Sequence, residues 1–256
     1  VKPISERPLG EPDRIPFAAI LAGGRATRMG RDKAVLELEG FPLIEWVLDR
    51  VGQVAQTVFA VGGPPRLDHC GVPTISDRFP GANAMGGVAT ALAYAAEAAG
   101  TETWVLCVAC DTPFLEPGLL LGLFAQRAGA EAVVPRTAAG YEPLCALYRT
   151  SCLPVFARAI ASGNLCILDI FPAVRTREVP EAELRLEDPD LRSFLNLNRP
   201  DDLPAALRWA QACGPPQRAA APASRELIRD HRGASALEPA PVRVERRESL
   251  SASRGH

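Results

Sequence analysis

Two glycines, an isolated lysine and two aspartates that follow apolar runs are the residues of this sequence with the most chemistry to offer. Of its 28 lysine and arginine residues only Lys2 and Lys33 are lysines, and Lys33 closes the stretch LAGGRATRMGRDK, residues 21–33. Glycine lets backbone N–H groups converge on an anion without interference from Cβ. An ammonium on a flexible stem suits a crowded phosphate cradle better than a wide guanidinium fork. Gly23, Gly24, Arg25, Arg28 and Lys33 therefore read as an anion-binding loop. Its spacing matches neither G-x-x-x-x-G-K-[ST] nor G-x-G-x-x-G, and a plain Gly-Gly turn is the bland alternative.

The stretch ACDTPFL, residues 109–115, places Asp111 directly after the most apolar run of the chain. An aspartate there stands at the carboxyl edge of a parallel sheet, where open α/β folds bind ligands, and it offers Mg²⁺ a hard oxygen ligand. In ISDRFPGANAMGG, residues 75–87, Asp77 opens a third loop and Gly86-Gly87 begin a helix. Asp77 either binds through metal or water, or begins a turn before Pro80-Gly81. Three such loops, each after a strand, would lie side by side at one sheet edge.

Weaker features follow. Tyr141, Glu142 and Pro143 precede an apolar strand, and Asn196 and Asn198 alternate with leucines in SFLNLN, which reads as a strand with both asparagines on one face. One would contact substrate while Asn198 caps the closing helix. Cys107 and Cys110 form C-x-x-C, but no second pair exists, and a strand would point them to opposite faces, which is core packing. His69, His231 and His256 neighbour no nucleophile at useful spacing, which argues against a hydrolytic triad.

Positioning such loops takes alternating strands and helices. PFAAIL (16–21), TVFAV (57–61), VPTI (72–75) and WVLCVA (104–109) read as strands, with EAVVP and LCALY as further candidates. Helices are expected after Pro42, over 86–99, after Pro117, over 151–163, near 166–172 and over 200–212. This alternation implies βαβ units and a parallel sheet covered on both faces.

The 256 residues, 47% of them hydrophobic, are ample for one domain of 16–213 between an arm at 1–15 and a disordered Arg/Ala/Pro-rich tail at 214–256. The net charge of −2 offers nothing to nucleic acid or an anionic membrane, and no stretch approaches a membrane span. Seven scattered cysteines and a leader without an apolar segment point to a cytoplasmic protein.

In these three loops the chain resembles the molybdenum cofactor guanylyltransferase family. LAGGRATRMGRDK is similar to that family's L-A-G-G-x-x-x-R-M-G-x-D-K, ACDTPFL to its C-D-x-P segment and FLNLNRPDDL to its closing N-x-N-x-P-x-D-L. The resemblance implies an α/β, Rossmann-like three-layer αβα nucleotidyltransferase fold with a mostly parallel central sheet. It implies transfer of GMP from GTP to the terminal phosphate of molybdopterin, with Mg²⁺ and release of pyrophosphate. Leu21, Ala22 and Gly23 would then lie against the guanine nucleotide, Lys33 would hold phosphate, Asp77 would bind nucleotide and Asp111 would ligate Mg²⁺. Lys33, Asp111 and Arg28 would carry catalysis, with Gly24, Arg25, Gly86 and Gly87 completing the nucleotide site.

The nucleotide-binding half would span about 16–135, and the acceptor half, about 136–213, would carry Tyr141, Glu142, Pro143, Asn196 and Asn198. Partners would be GTP, molybdopterin and, transiently, molybdoenzyme maturation proteins. The sequence departs from the pattern at Val61-Gly62-Gly63, where relatives often carry a base-contacting Asn, at Asn83 for Gly, at Ala84 for Pro and at Arg199 for Thr. A cytidylyl or sugar-phosphate nucleotidyltransferase and a non-catalytic nucleotide-binding module remain the alternatives.

Overall fold

The computed structural model describes residues 14–23, 37–62, 71–197 and 202–217. Its strands are β1 (Ile15–Leu21), β2 (Glu37–Leu38), β3 (Phe41–Pro42), β4 (Ala55–Val61), β5 (Thr74–Ile75), β6 (Trp104–Ala109), β7 (Ala132–Thr137), β8 (Gly140–Tyr141), β9 (Cys145–Arg149) and β10 (Thr176–Pro180). The helices are α1 (Leu43–Val54), α2 (Asn83–Ala99), α3 (Pro117–Ala125), α4 (Leu153–Ala161), α5 (Glu181–Leu184) and α6 (Leu203–Cys213).

Apolar runs too short for a helix form the centre of the sheet: β6 is buried along its whole length, and β1 at all but Pro16. The main sheet runs β5-β4-β1-β6-β9-β7-β10, with β8 added to β7. β5, β4, β1 and β6 are mutually parallel, as are β7 and β10. β9 enters antiparallel between β6 and β7. The result is the expected α/β fold with a mostly parallel sheet.

Side chains along a strand alternate between faces, so one strand feeds two cores. Ala18 and Ile20 of β1 join Val58, Leu106 and Val108 beneath Ile44 and Val47 of α1 and Leu119 and Leu123 of α3. Phe17, Ala19 and Leu21 join Phe59, Val61 and Val105 beneath Val88 and Leu92 of α2 and Phe156 of α4. These are the two outer layers of a three-layer sandwich, and each large side chain so buried contributes about 1.5–3 kcal/mol. A third, smaller core joins Leu38, Trp46 and Phe114 to Leu197 and to Ala206 and Ala210 of α6. The last helix thus returns to pack on the first half of the chain.

One expectation needs correction, and one strand was not expected. SFLNLN is not a strand: Arg192–Phe194 form a 3-10 turn, and 195–197 carry no regular structure. Asp188 explains why, since its buried carboxylate accepts the backbone N–H of Arg192 and of Ser193 at 3.1 and 2.8 Å and so curls the chain. TREVP, by contrast, forms β10, an edge strand in which only Val179 is buried. Its charged positions hide the apolar alternation that marks a strand. No helix among the described residues is long and apolar enough to cross a membrane.

Candidate functional site

The register of the parallel strands sets Leu21, Val61, Ile75 and Ala109 in one row across the sheet. One or two residues beyond that row the chain carries Gly23, Gly62, Asp77 and Asp111 respectively. Backbone bonds hold these exits together past the strand ends. Ala22 N–H donates to Val61 C=O at 3.0 Å, Gly62 N–H to Ile75 C=O at 2.9 Å and Cys110 N–H to Leu21 C=O at 3.3 Å. The three loops therefore do share one edge, ordered as the strands are: Asp77, Gly62, Gly23, Asp111.

A cleft of about 770 Å³ opens between this edge and the start of α2. Leu21, Gly23 and Gly62 line its sheet side, and Asp77, Asn83 and Gly87 line the facing side. Its sheet side is bare for a steric reason. Gly62 has φ +67°, and a Cβ there would stand 3.1 Å from Gly23 Cα. A Cβ on Gly87 would press on Leu21 Cδ2 at 3.4 Å. Gly86 serves a different purpose: a Cβ there would meet the Phe79 carbonyl oxygen at 2.7 Å, so this glycine lets the 79–82 turn close onto α2. Ala22 turns its side chain into the opposite core, away from Leu21.

Asp77 has both of the roles considered for it open to it. Its Oδ1 accepts the Phe79 N–H at 2.9 Å, which makes the turn, and the Thr90 hydroxyl at 3.1 Å, while the residue lines the cleft. Thr90 is fully buried and in turn accepts the Arg78 N–H at 3.0 Å. Arg78 grips Glu97 of α2 through both carboxylate oxygens, at 2.5 and 2.7 Å. The loop is thus fixed to the helix at two levels.

Asp111 is half-buried, and its loop is braced from the far end of the chain. Leu197 N–H donates to the Asp111 carbonyl at 3.0 Å, Glu116 N–H donates to Ser193 Oγ at 2.9 Å, and Arg192 pairs with Glu116. Asn196, exposed beside Leu197, accordingly sits near Asp111, although not by the strand alternation that suggested it.

Tyr141, Glu142 and Pro143 reach the same edge from the other side, because β9 runs antiparallel and begins where β6 ends: Ala109 N–H donates to Leu144 C=O at 3.0 Å. Tyr141 donates to Glu178 Oε1 at 2.5 Å beneath the Arg136 guanidinium, 5.2 Å from the ring centroid. That bond lifts the Tyr141 phenol and holds the Glu178 carboxyl below its ordinary value. Burial pushes the Glu142 carboxyl up against the opposing pull of the Thr137 hydroxyl. The Pro143 carbonyl accepts the Tyr148 hydroxyl at 2.8 Å. Cys107 and Cys110 pack into opposite cores, as alternation requires, and burial drives the Cys107 thiol up.

Gly24, Arg25, Arg28, Lys33 and Asn198 lie outside the described residues. Three residues of the site escaped sequence reasoning. Gly62 was visible only as a missing asparagine, Thr90 only as the lone threonine in an alanine-rich helix, and Asn83 only as a departure from a pattern. Asn83 has φ 52°, in the left-handed region that asparagine enters more readily than other residues with a side chain, so the Gly of that pattern is replaced at modest cost.

A family model described as the MobA-like NTP transferase domain matches residues 18–175, a span that includes all three loops. The chain belongs to that family. Among relatives of this nucleotidyltransferase, a molybdenum cofactor guanylyltransferase from Desulfosudis oleivorans is 35% identical over 73% of this chain and 92% of its own length. A probable molybdenum cofactor guanylyltransferase from Pelotomaculum thermopropionicum is 34% identical over 75% of this chain and 92% of its own. Among solved structures, molybdopterin-guanine dinucleotide biosynthesis protein A from Archaeoglobus fulgidus superposes with a TM-score of 0.66 at 29% identity. It covers 77% of this chain and 99% of its own.

Proposed function

We propose that this nucleotidyltransferase transfers GMP from GTP to the terminal phosphate of molybdopterin and releases pyrophosphate, with Mg²⁺ on Asp111, in the cytoplasm. The observation that carries the reading is the row at the sheet edge: the Gly23 and Gly62 exits stand between Asp77 and Asp111, with the cleft opening over the glycines and Asp77. The names of the relatives supply the two substrates. The six described cysteines are unbridged, which suits a reducing compartment.

The attacking group would be a phosphate monoester, already an anion at neutral pH, so no general base is required. The obstacle is bringing anions together: at ~4 Å two unit charges repel by about 4 kcal/mol at an effective dielectric near 20. Backbone N–H groups of the glycine loop and the Lys33 ammonium would offset that repulsion. No three His, Cys, Asp or Glu side chains among the described residues cluster as a metal cage. Asp111, half-buried at the sheet edge, would give a hard cation one carboxylate ligand, with most other ligands coming from phosphate and water. Such a cation would stabilise the charge that gathers on the departing pyrophosphate. The strand ends β7 and β8, with Tyr141 and Glu142, would face the acceptor, and the same surface would meet maturation proteins.

Pyrophosphate release with GTP, molybdopterin and Mg²⁺ tests the reading. Asp111→Asn and Lys33→Ala should each lower turnover by about 10² or more, with the melting temperature little changed. Wild-type rates in both variants, or turnover with CTP in place of GTP, would overturn it.

A further inference from the structure

Seven of the nine residues that line the cleft, glycines, alanine and aliphatics, offer a ligand no side-chain hydrogen bond. The exceptions are Asp77 and Asn83. The bonds that described residues make to the Asp77 side chain end on Oδ1, which already serves Phe79 and Thr90. Asn83 is exposed at the first turn of α2 with φ 52°. No described residue hydrogen-bonds its amide, so packing does not explain why a side chain is kept in a backbone conformation that glycine adopts more cheaply.

We infer that Asn83 reads the nucleobase of the bound nucleoside triphosphate and, with Asp77, sets the preference for guanine. This rests on the nucleotidyltransferase reading of the cleft. A carboxylate only accepts, so it calls for a donor on the ligand, whereas an amide both donates and accepts. Guanine offers two adjacent donors, N1–H and the 2-amino group, beside the O6 acceptor. It can satisfy a carboxylate and an amide together. In the same pose adenine reverses that order, setting its 6-amino donor where guanine has the O6 acceptor and its N1 lone pair against the carboxylate. The aliphatic faces of Leu21 and Val61, on the sheet side of the cleft, suit the flat face of a purine.

The test is the full chain with GTP, ATP and ITP, the last of which lacks the 2-amino group. Binding is measured calorimetrically and turnover as pyrophosphate release. Asn83→Gly fits φ 52° without strain, so folding is preserved; Asn83→Asp keeps the shape and removes the donor. Both should lower the GTP-over-ATP ratio of kcat/KM about tenfold, the worth of roughly one hydrogen bond. The change should lie in KM, with kcat for GTP nearly constant and the melting temperature of Asn83→Gly no lower than wild type. Unchanged ranking of the three nucleotides in both variants, with the wild type still binding GTP, would overturn this assignment alone. Failure of the wild type to bind any nucleotide would remove the underlying reading and the assignment with it.

Discussion

Gly62 shows how one residue can serve both the fold and the cleft. Its positive φ costs a side-chain-bearing residue about 1–2 kcal/mol on conformation alone, and the neighbour it would strike is the Gly23 backbone, which cannot rotate away. Gly163 gives the control: it too has positive φ, +79°, in the turn that ends α4, but nothing lies within 4 Å of its would-be Cβ. Gly163→Ala should therefore cost about 1 kcal/mol of stability, with kinetics unchanged. Gly62→Ala should cost more, about 2–3 kcal/mol, and should raise KM for the nucleotide because Gly23 must shift in the cleft. Urea denaturation and steady-state kinetics on the pair separate the two contributions. Equal stability losses and an unaltered KM would mean that the close approach of the two glycines has no role.

At the level of elements, the parallel half was legible because its signals are dense: an unbroken apolar run as in β6, Gly or Asp at its exit, then Ala- and Leu-rich helical spacing. The Asp111 and Asp77 loops could be aligned for the same reason. What could not be read were elements whose order depends on distant partners. β10 is an edge strand that exists through β7, and 192–197 is bent by Asp188 and Ser193 rather than extended by its leucines. That bent segment also braces the Asp111 loop. Ser193 is fully buried and accepts the Glu116 N–H, so Ser193→Ala leaves a part-buried donor unsatisfied, a loss of about 1–3 kcal/mol. The expected signature beyond stability is a several-fold higher Mg²⁺ concentration for half-maximal turnover. Ser193→Thr, which keeps the hydroxyl, should restore much of it. A variant with lowered stability but unshifted Mg²⁺ dependence would show that the brace holds the fold and not the carboxylate.

The molecule as a whole is a sheet with a dry core on each side, and its thiols report on both. Cys145 lies in the layer beneath α1 and α3, Cys107 and Cys152 in the layer beneath α2 and α4. Burial pushes all three thiols up, Cys152 to about 12 and the other two further. A folded-state value above the unfolded one means that, past pH ~9, the unfolded chain has lost protons which the folded chain still holds. Stability contributed by the protonated thiols is thus complete below pH ~9 and declines as pH climbs toward the folded values. Each thiol adds about 1.4 kcal/mol per pH unit to the decline. Equilibrium unfolding measured between pH 8 and 11 should therefore steepen above pH ~9. Cys152→Ala should be less stable at pH 8, where it loses packing and a bond to the Glu131 carbonyl, yet should show a flatter alkaline slope by one thiol's share. The slope isolates the proton count from the packing loss. If it is the same in the variant as in the wild type, this thiol ionises no later in the folded chain than in the unfolded one, and the core around it admits water.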